Sequence, residues 1–202
     1  MTDAPVSGQE LDDLAKYALT LGATAAAVID SKKIEVRDDL AGLCNGDYPC
    51  PKYGLAASCP PHVPGPGAFR KWQAQSRFSI AVKIELPASV MFSKERKRVM
   101  KIMHRIVAAT EIKSRELGFN RSRAFSSGSC KDLFCIGEDG CRVVDKNQPC
   151  RRPDEARPSM SVFGIDVVRL MAVSGWDASK TDPRDASDSN AVSWTAGLVL
   201  LA

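Results

Sequence analysis

Two groups of cysteines hold the chemistry open to this chain. The first reads Cys44-x5-Cys50-Pro-Lys-Tyr-Gly-x4-Cys59-Pro-Pro-His62 and the second Cys130-x4-Cys135-x5-Cys141-x8-Cys150, which together account for all seven cysteines. Four thiolates in so short a segment as 130–150 meet only where the chain folds back around a shared centre, and a metal centre would justify that fold. Zinc favours tetrahedral sites built from closely spaced ligand pairs, commonly C-x2-4-C, yet no C-x-x-C occurs here. Iron–sulfur clusters spread their corners and accept wider spacings, x4 among them. The second group therefore reads as an iron–sulfur ligand set, with structural zinc as the alternative.

The surroundings of both groups suit that chemistry. Ser126, Ser127, Gly128 and Ser129 precede Cys130 and offer backbone N–H and hydroxyl donors to cluster sulfides. Gly137 and Gly140 let the backbone approach closely. Cys50 and Cys59 are each followed by proline, as in bacterial ferredoxins, where proline turns the chain and brings no competing donor. Three cysteines leave one corner of a four-iron cluster without a thiolate. His62, water, a substrate or a group from another chain would fill it, and an open iron can act as a Lewis acid.

Blander readings stand beside these. Free cysteine is often simply buried, and Cys44, Cys50, Cys59 and His62 superficially match a three-cysteine, one-histidine zinc finger. No interleaved basic and aromatic residues support nucleic-acid recognition. Tyr48, Tyr53 and Trp72 are candidates to pack over a centre and exclude water. Arg151, Arg152 and Arg157 either neutralise a negative cluster or bind an anionic substrate, and His104 reads as structural. Lys94, Arg96, Lys97, Arg98, Lys101, Arg105, Lys113 and Arg115 make one helix locally basic, either a solvated face or one suited to docking an acidic electron carrier or redox enzyme.

Helices and strands must position these loops. Ser7 and Glu10 form a capping-box pattern, so a helix is expected over 8–21, with strands over 24–30 and 33–37. A loop rich in Gly, Pro and Cys follows from Asp38 to Pro66, long enough to need pinning by something other than packing. A short helix over 68–75, a strand over 77–86 and a long helix over 94–117 come next, the last buried through Val99, Ile102, Met103, Ile106 and Val107. A strand over 121–125 leads into the second group. Residues 157–175 read as helix broken near Gly164, 176–190 as an exposed loop and 191–202 as a final strand. Helix, Leu-Gly stop, strand and cysteine group recur in that order, a weak internal repeat.

The fold expectation is one domain over residues 1–202, α/β or α+β, with a small mixed sheet flanked by helices and two long cysteine-rich loops. A chain of 202 residues can bury a core without cysteine cross-links, and 28 basic against 24 acidic residues give a net charge of only +4, too little to argue for nucleic acid. The N-terminus lacks a signal or transit pattern and no apolar run spans a bilayer. The expected protein is cytoplasmic and membrane-free, a reducing setting in which seven cysteines do not make a disulfide framework. No Rossmann fingerprint or Walker loop marks a nucleotide site.

The blocks CNGDYPCPKYGLAASCPP and SSGSCKDLFCIGEDGCRVVDKNQPCRRPDEARPSMSVFGIDV resemble the signatures of a predicted metal-binding family classed as domain of unknown function number 2284. The resemblance covers most of the chain. It implies metal binding at Cys44, Cys50, Cys59, Cys130, Cys135, Cys141 and Cys150 and brings no reaction with it. The reading is an iron–sulfur redox protein with two clusters, both [4Fe–4S], passing electrons to a partner or substrate. An enzyme with an open iron at the three-cysteine site and a zinc-stabilised interaction protein are the alternatives.

Overall fold

In a computed structural model of the chain, which describes residues 7–179 and 190–202, eight helices surround a four-stranded sheet. In chain order they are α1 (Gly8–Thr20), β1 (Ala25–Asp30), α2 (Asp38–Gly42), α3 (Gly65–Gln73), β2 (Phe78–Pro87), α4 (Ala88–Met91), α5 (Arg96–Glu116), β3 (Arg123–Phe125), α6 (Cys130–Phe134), α7 (Arg142–Lys146), α8 (Val167–Val173) and β4 (Val192–Leu201). The expected small sheet flanked by helices is present. Its strand order is β1-β2-β4-β3 and its three pairings are all antiparallel rather than mixed.

The period of two along the central strands divides the core into two layers. Ile80, Val82 and Ile84 of β2, with Val199 and Leu201 of β4, face Leu11 and Leu14 of α1 and Met103, Ile106 and Val107 of α5. Ala81, Ala196, Leu198 and Leu200 point the other way, onto Phe69 of α3, Phe163, and Leu170 and Met171 of α8. Close packing of α5 on β4 needs a residue without a side chain at Gly197. A Cβ there would lie 2.5 Å from Val107 Cγ1 and 2.8 Å from Met103 Sδ.

The capping box at Ser7 and Glu10 forms as read. The expected strand over 33–37 does not: Ser31–Lys33 is a 3-10 turn capped by Asp30, and only Val36 bridges to another chain segment, at Ile165. Gly164, with φ +70°, breaks the helix expected over 157–175 into a 3-10 turn (Met160–Phe163) and α8. The exposed loop expected over 176–190 lies largely outside the described residues. Among the described residues no helix is long and apolar enough to cross a membrane.

The internal repeat is visible in the fold. One half runs α1, β1, α2, three cysteines, α3, β2; the other runs α5, β3, α6, the remaining cysteines, α8, β4. Each half supplies one edge strand and one central strand, so both cysteine loops leave an edge strand and return through a helix on the same face.

Candidate metal centres

Cys130 opens α6 and Cys135 closes it, Cys141 stands at the N-cap of α7, and Cys150 follows the left-handed turn at Asn147. All four line one cavity, with Phe134, Arg142, Arg151 and Ala156 in its wall. Gly140 makes the fold-back possible: its φ is +64°, and a Cβ there would sit 1.9 Å from Asp145 Oδ2. Lys131 ties the same turn down by donating to the carbonyls of Glu138 and Gly140.

The four thiols sit in unequal fields. Burial, only partly offset by the Ser58 hydroxyl, pushes Cys130 up to about 11, with Cys59, Cys150 and Cys135 as neighbouring thiols. Burial and then Cys150 also raise Cys135, against the pull of Arg151 and Lys131. At Cys141 burial acts upward but is outweighed by N–H donors from Ala57, Val144 and Val143, so its thiol ionises below the usual range. The backbone N–H of Arg152 donates to Cys150 Sγ at 3.3 Å.

Two buried polar residues of α5 hold the base of this loop. His104 Nε2 donates to the Ser127 carbonyl at 3.0 Å and Nδ1 accepts the Arg157 N–H at 3.1 Å, so one imidazole joins the segment entering Cys130 to the segment leaving Cys150. Two turns on, Glu111 receives Arg157 Nη2 at 2.6 Å and Nε at 2.8 Å, while its other oxygen accepts the Ala124 N–H of β3 at 2.9 Å. A buried ion pair this well hydrogen-bonded fixes geometry even where its net stabilisation is small.

The three-cysteine group is built from turns. Cys44 sits in a 3-10 turn (Leu43–Asn45), Cys50 N–H donates to the Cys44 carbonyl at 3.1 Å, and Cys59 N–H donates to that of Ala56 at 2.9 Å. The three line a second cavity of about 210 Å³ with Tyr53, Ser58, Ser129, Ser159 and Ser161. Burial first, then the thiols of Cys50 and Cys59, raise Cys44. His62 is not in this wall; its Nε2 donates to the Gly54 carbonyl at 3.0 Å.

The two cavities share a thin wall with a crossed pattern of contacts. Ser58 Oγ lies 2.9 Å from Cys130 Sγ, while Ser129 Oγ lies 3.5 Å from Cys59 Sγ. Each loop thus presents a Ser-Cys pair, and each serine meets the other loop's cysteine. Lys52 and Asp132 close the seam with an ion pair of 2.9 Å.

A family profile described as predicted metal-binding protein (DUF2284) matches residues 27–201. The chain belongs to this family. No curated protein and no solved structure matches it. The side chains lining the first cavity of this predicted metal-binding protein suit a metal group on two grounds. All seven cysteines are free thiols, four of them around one space, and Arg142 Nε is buried with no hydrogen-bond partner among the described residues. An orphaned guanidinium N–H in a thiol-lined wall calls for an anionic acceptor, which a metal group carrying four thiolates provides. Among the described residues no three His, Cys, Asp or Glu side chains are gathered closely enough to grip a single ion.

Several sequence expectations are corrected. Tyr53 does line the second cavity, but Tyr48 is 95% exposed and Trp72 packs in the core against Phe125 and Phe163. Arg157 is consumed by Glu111 and cannot meet an anionic substrate, whereas Arg151 and Arg152 do stand in the first cavity's wall. Arg142 was not singled out by sequence. Its place directly after Cys141, at the first position of a short helix, was the available signal.

Proposed function

We propose that this protein is an iron–sulfur redox protein with two centres, both [4Fe–4S], one held by Cys130, Cys135, Cys141 and Cys150 and the other by Cys44, Cys50 and Cys59. The observation that carries the reading is four free thiols lining one cavity at sequence spacings wider than the C-x2-4-C pairs zinc favours. Tetrahedral zinc at Zn–S of about 2.3 Å would need sulfurs within about 3.8 Å of one another. A cluster accommodates sulfurs that stand apart, and when bound it supplies reversible one-electron storage.

The chain's own residues then have definite tasks. The backbone N–H groups of Ala57, Val143 and Val144 donate to Cys141 and that of Arg152 to Cys150, and Arg142 Nε is left to donate to a bound group, which favours the more reduced, more negative state. Ser58 and Ser129 keep the two sites in register across their shared wall. Lys97, Lys101 and Arg105 form one stripe of α5, and Lys101 Nζ lies 5.7 Å from the ring centre of Phe134, a wall residue of the first cavity. That stripe suits an acidic electron-carrier protein in the cytoplasm, with association that weakens as salt rises.

The enzyme reading is favoured at the second site because Cys44 and Cys50 also line a much larger cleft. Anaerobic purification followed by iron and sulfide analysis tests the proposal. About eight irons per chain, two clusters of four, are expected. Colourless protein holding stoichiometric zinc would refute it.

A further inference from the structure

The spacing of the second cysteine group contains that of the first. Cys135-x5-Cys141-x8-Cys150 reproduces Cys44-x5-Cys50-x8-Cys59, and an acidic residue after glycine follows the first cysteine in each, Gly46-Asp47 and Gly137-Glu138. The four-cysteine group adds Cys130, five residues before Cys135 at the start of α6. Five residues before Cys44 stands Asp39, in α2. Asp39 does not complete the set: Arg37 holds its carboxylate at 2.6 and 3.2 Å, its side chain is 64% exposed, and it is not in the wall of the second cavity. His62 is held by Gly54. The side that Cys130 closes in one site is therefore left open in the other by the described residues.

What adjoins that open side is a cleft of about 1060 Å³, with Cys44, Cys50 and Ser161 in the walls of both spaces. Leu40, Leu43, Phe92, Ile165, Val168 and Trp194 make its surface apolar. Leu43, Phe92 and Val168 are 67%, 41% and 39% exposed, more than core residues of their type. Its two charged residues, Arg37 and Asp166, are 3.6 Å apart. Arg37's other nitrogens serve Asp39, and Asp166 Oδ1 accepts the Arg169 N–H at 3.0 Å. Among the described residues an ionised ligand would find no free countercharge in the cleft and would lose its hydration uncompensated.

We propose that this cleft is a ligand site whose inner end is the open side of the three-cysteine centre, and that it takes an uncharged, mainly apolar organic molecule. Size and lining match small-molecule pockets, and apolar burial against the leucine, valine and tryptophan walls drives binding. The hydroxyl of Ser161, at the boundary of the two spaces, offers the ligand one polar contact. The link to a metal rests on the two-centre reading; the binding itself does not.

The test uses anaerobically purified native protein, the uncharged dye Nile red as fluorescent probe and 1-decanol as competitor. Saturable binding that decanol displaces is expected, weakened at least about tenfold by Val168→Arg or Phe92→Arg, because a buried, unpaired guanidinium opposes an apolar ligand. Leu19→Arg, an exposed apolar position on α1, leaves binding unchanged. Decanol also alters the electron paramagnetic resonance signal of the reduced protein, and Val168→Arg abolishes that response. Absence of saturable binding, binding indifferent to both cleft variants, or a dimer in sedimentation that Val168→Arg dissociates would each overturn the proposal. A signal indifferent to decanol, or one changed by Asp39→Ala alone, would overturn the placement at the open side. Dye binding by a zinc protein would sink the redox reading and leave the cleft standing.

Discussion

Lowering the pH through the acid side of neutrality destabilises this protein through one residue, His104. Both ring nitrogens are committed, Nε2 as donor to Ser127 and Nδ1 as acceptor from Arg157, so the buried ring must be neutral with its proton on Nε2. A second proton would point Nδ1–H at an N–H donor in a site where the residue is fully buried. Burial, with a smaller push from the Arg157 charge and an opposing pull from the Ser127 carbonyl, lowers the pKa from 6.5 to about 4. The unfolded chain therefore binds more protons than the folded one between those values, and stability rises with pH across that window.

The histidine's contribution is complete above about pH 6.5 and lost as pH falls towards 4; at about 1.4 kcal/mol per pKa unit it amounts to roughly 3 kcal/mol, of which about 2 kcal/mol is gone by pH 5. Urea unfolding of wild type and His104→Gln at pH 7.5 and pH 5 isolates it, since acid effects on other groups are common to both. Glutamine keeps a donor for Ser127 but does not titrate. Wild type should lose about 2 kcal/mol more than the variant over that interval. Equal losses in the two proteins would show that His104 is not held neutral by these contacts.

Two further outcomes follow from the same base and wall. Glu111→Ala should cost about 3–5 kcal/mol in urea unfolding at neutral pH, because it strands a guanidinium whose side chain is only 12% exposed in a buried site; adding Arg157→Met should restore part of that loss, and no restoration would mean the carboxylate acts through Ala124 and Arg115 rather than Arg157. Arg142→Met keeps bulk but removes the orphaned donor, and in the iron-loaded protein should lower the reduction potential of the four-cysteine centre by tens of millivolts, about 60 mV for each ~1.4 kcal/mol of lost stabilisation; an unchanged potential in redox titration would remove Arg142 from the site.

How far these features were legible in the chain depends on whether their causes are local. The helix from Ser7, the strand over 78–87 and the break at Gly164 follow from short-range signals, a capping box, alternation and a left-handed turn, and each forms close to where sequence puts it. The segment 33–37 carries the same alternation but lacks a partner strand, since Arg37 N–H is taken by the Gly164 carbonyl at 2.7 Å and Asp166 N–H by that of Glu35. Propensity could not foresee that. Likewise the apolar stripe of α5 was readable, while His104 and Glu111 on the same helix look like surface residues until Arg157, some fifty positions away, arrives to satisfy them.

The cysteine sites show the same division from the other side. Which thiols group together is a matter of spacing, and the structure sets four of them around one cavity and three around another. Which group is closed needs the two spacings to be laid over each other: the shared x5 and x8 intervals isolate Cys130 as the added member, and Asp39 as the residue in its place. A carboxylate there would still be a plausible ligand by sequence alone. Arg37 removes it from contention by pairing with it on the surface, and the same arginine pairs with Asp166, leaving the cleft without free charge among the described residues. One side chain in α2's leading turn thus bears on both parts of the proposal, holding Asp39 at the surface and pairing with Asp166 in the cleft.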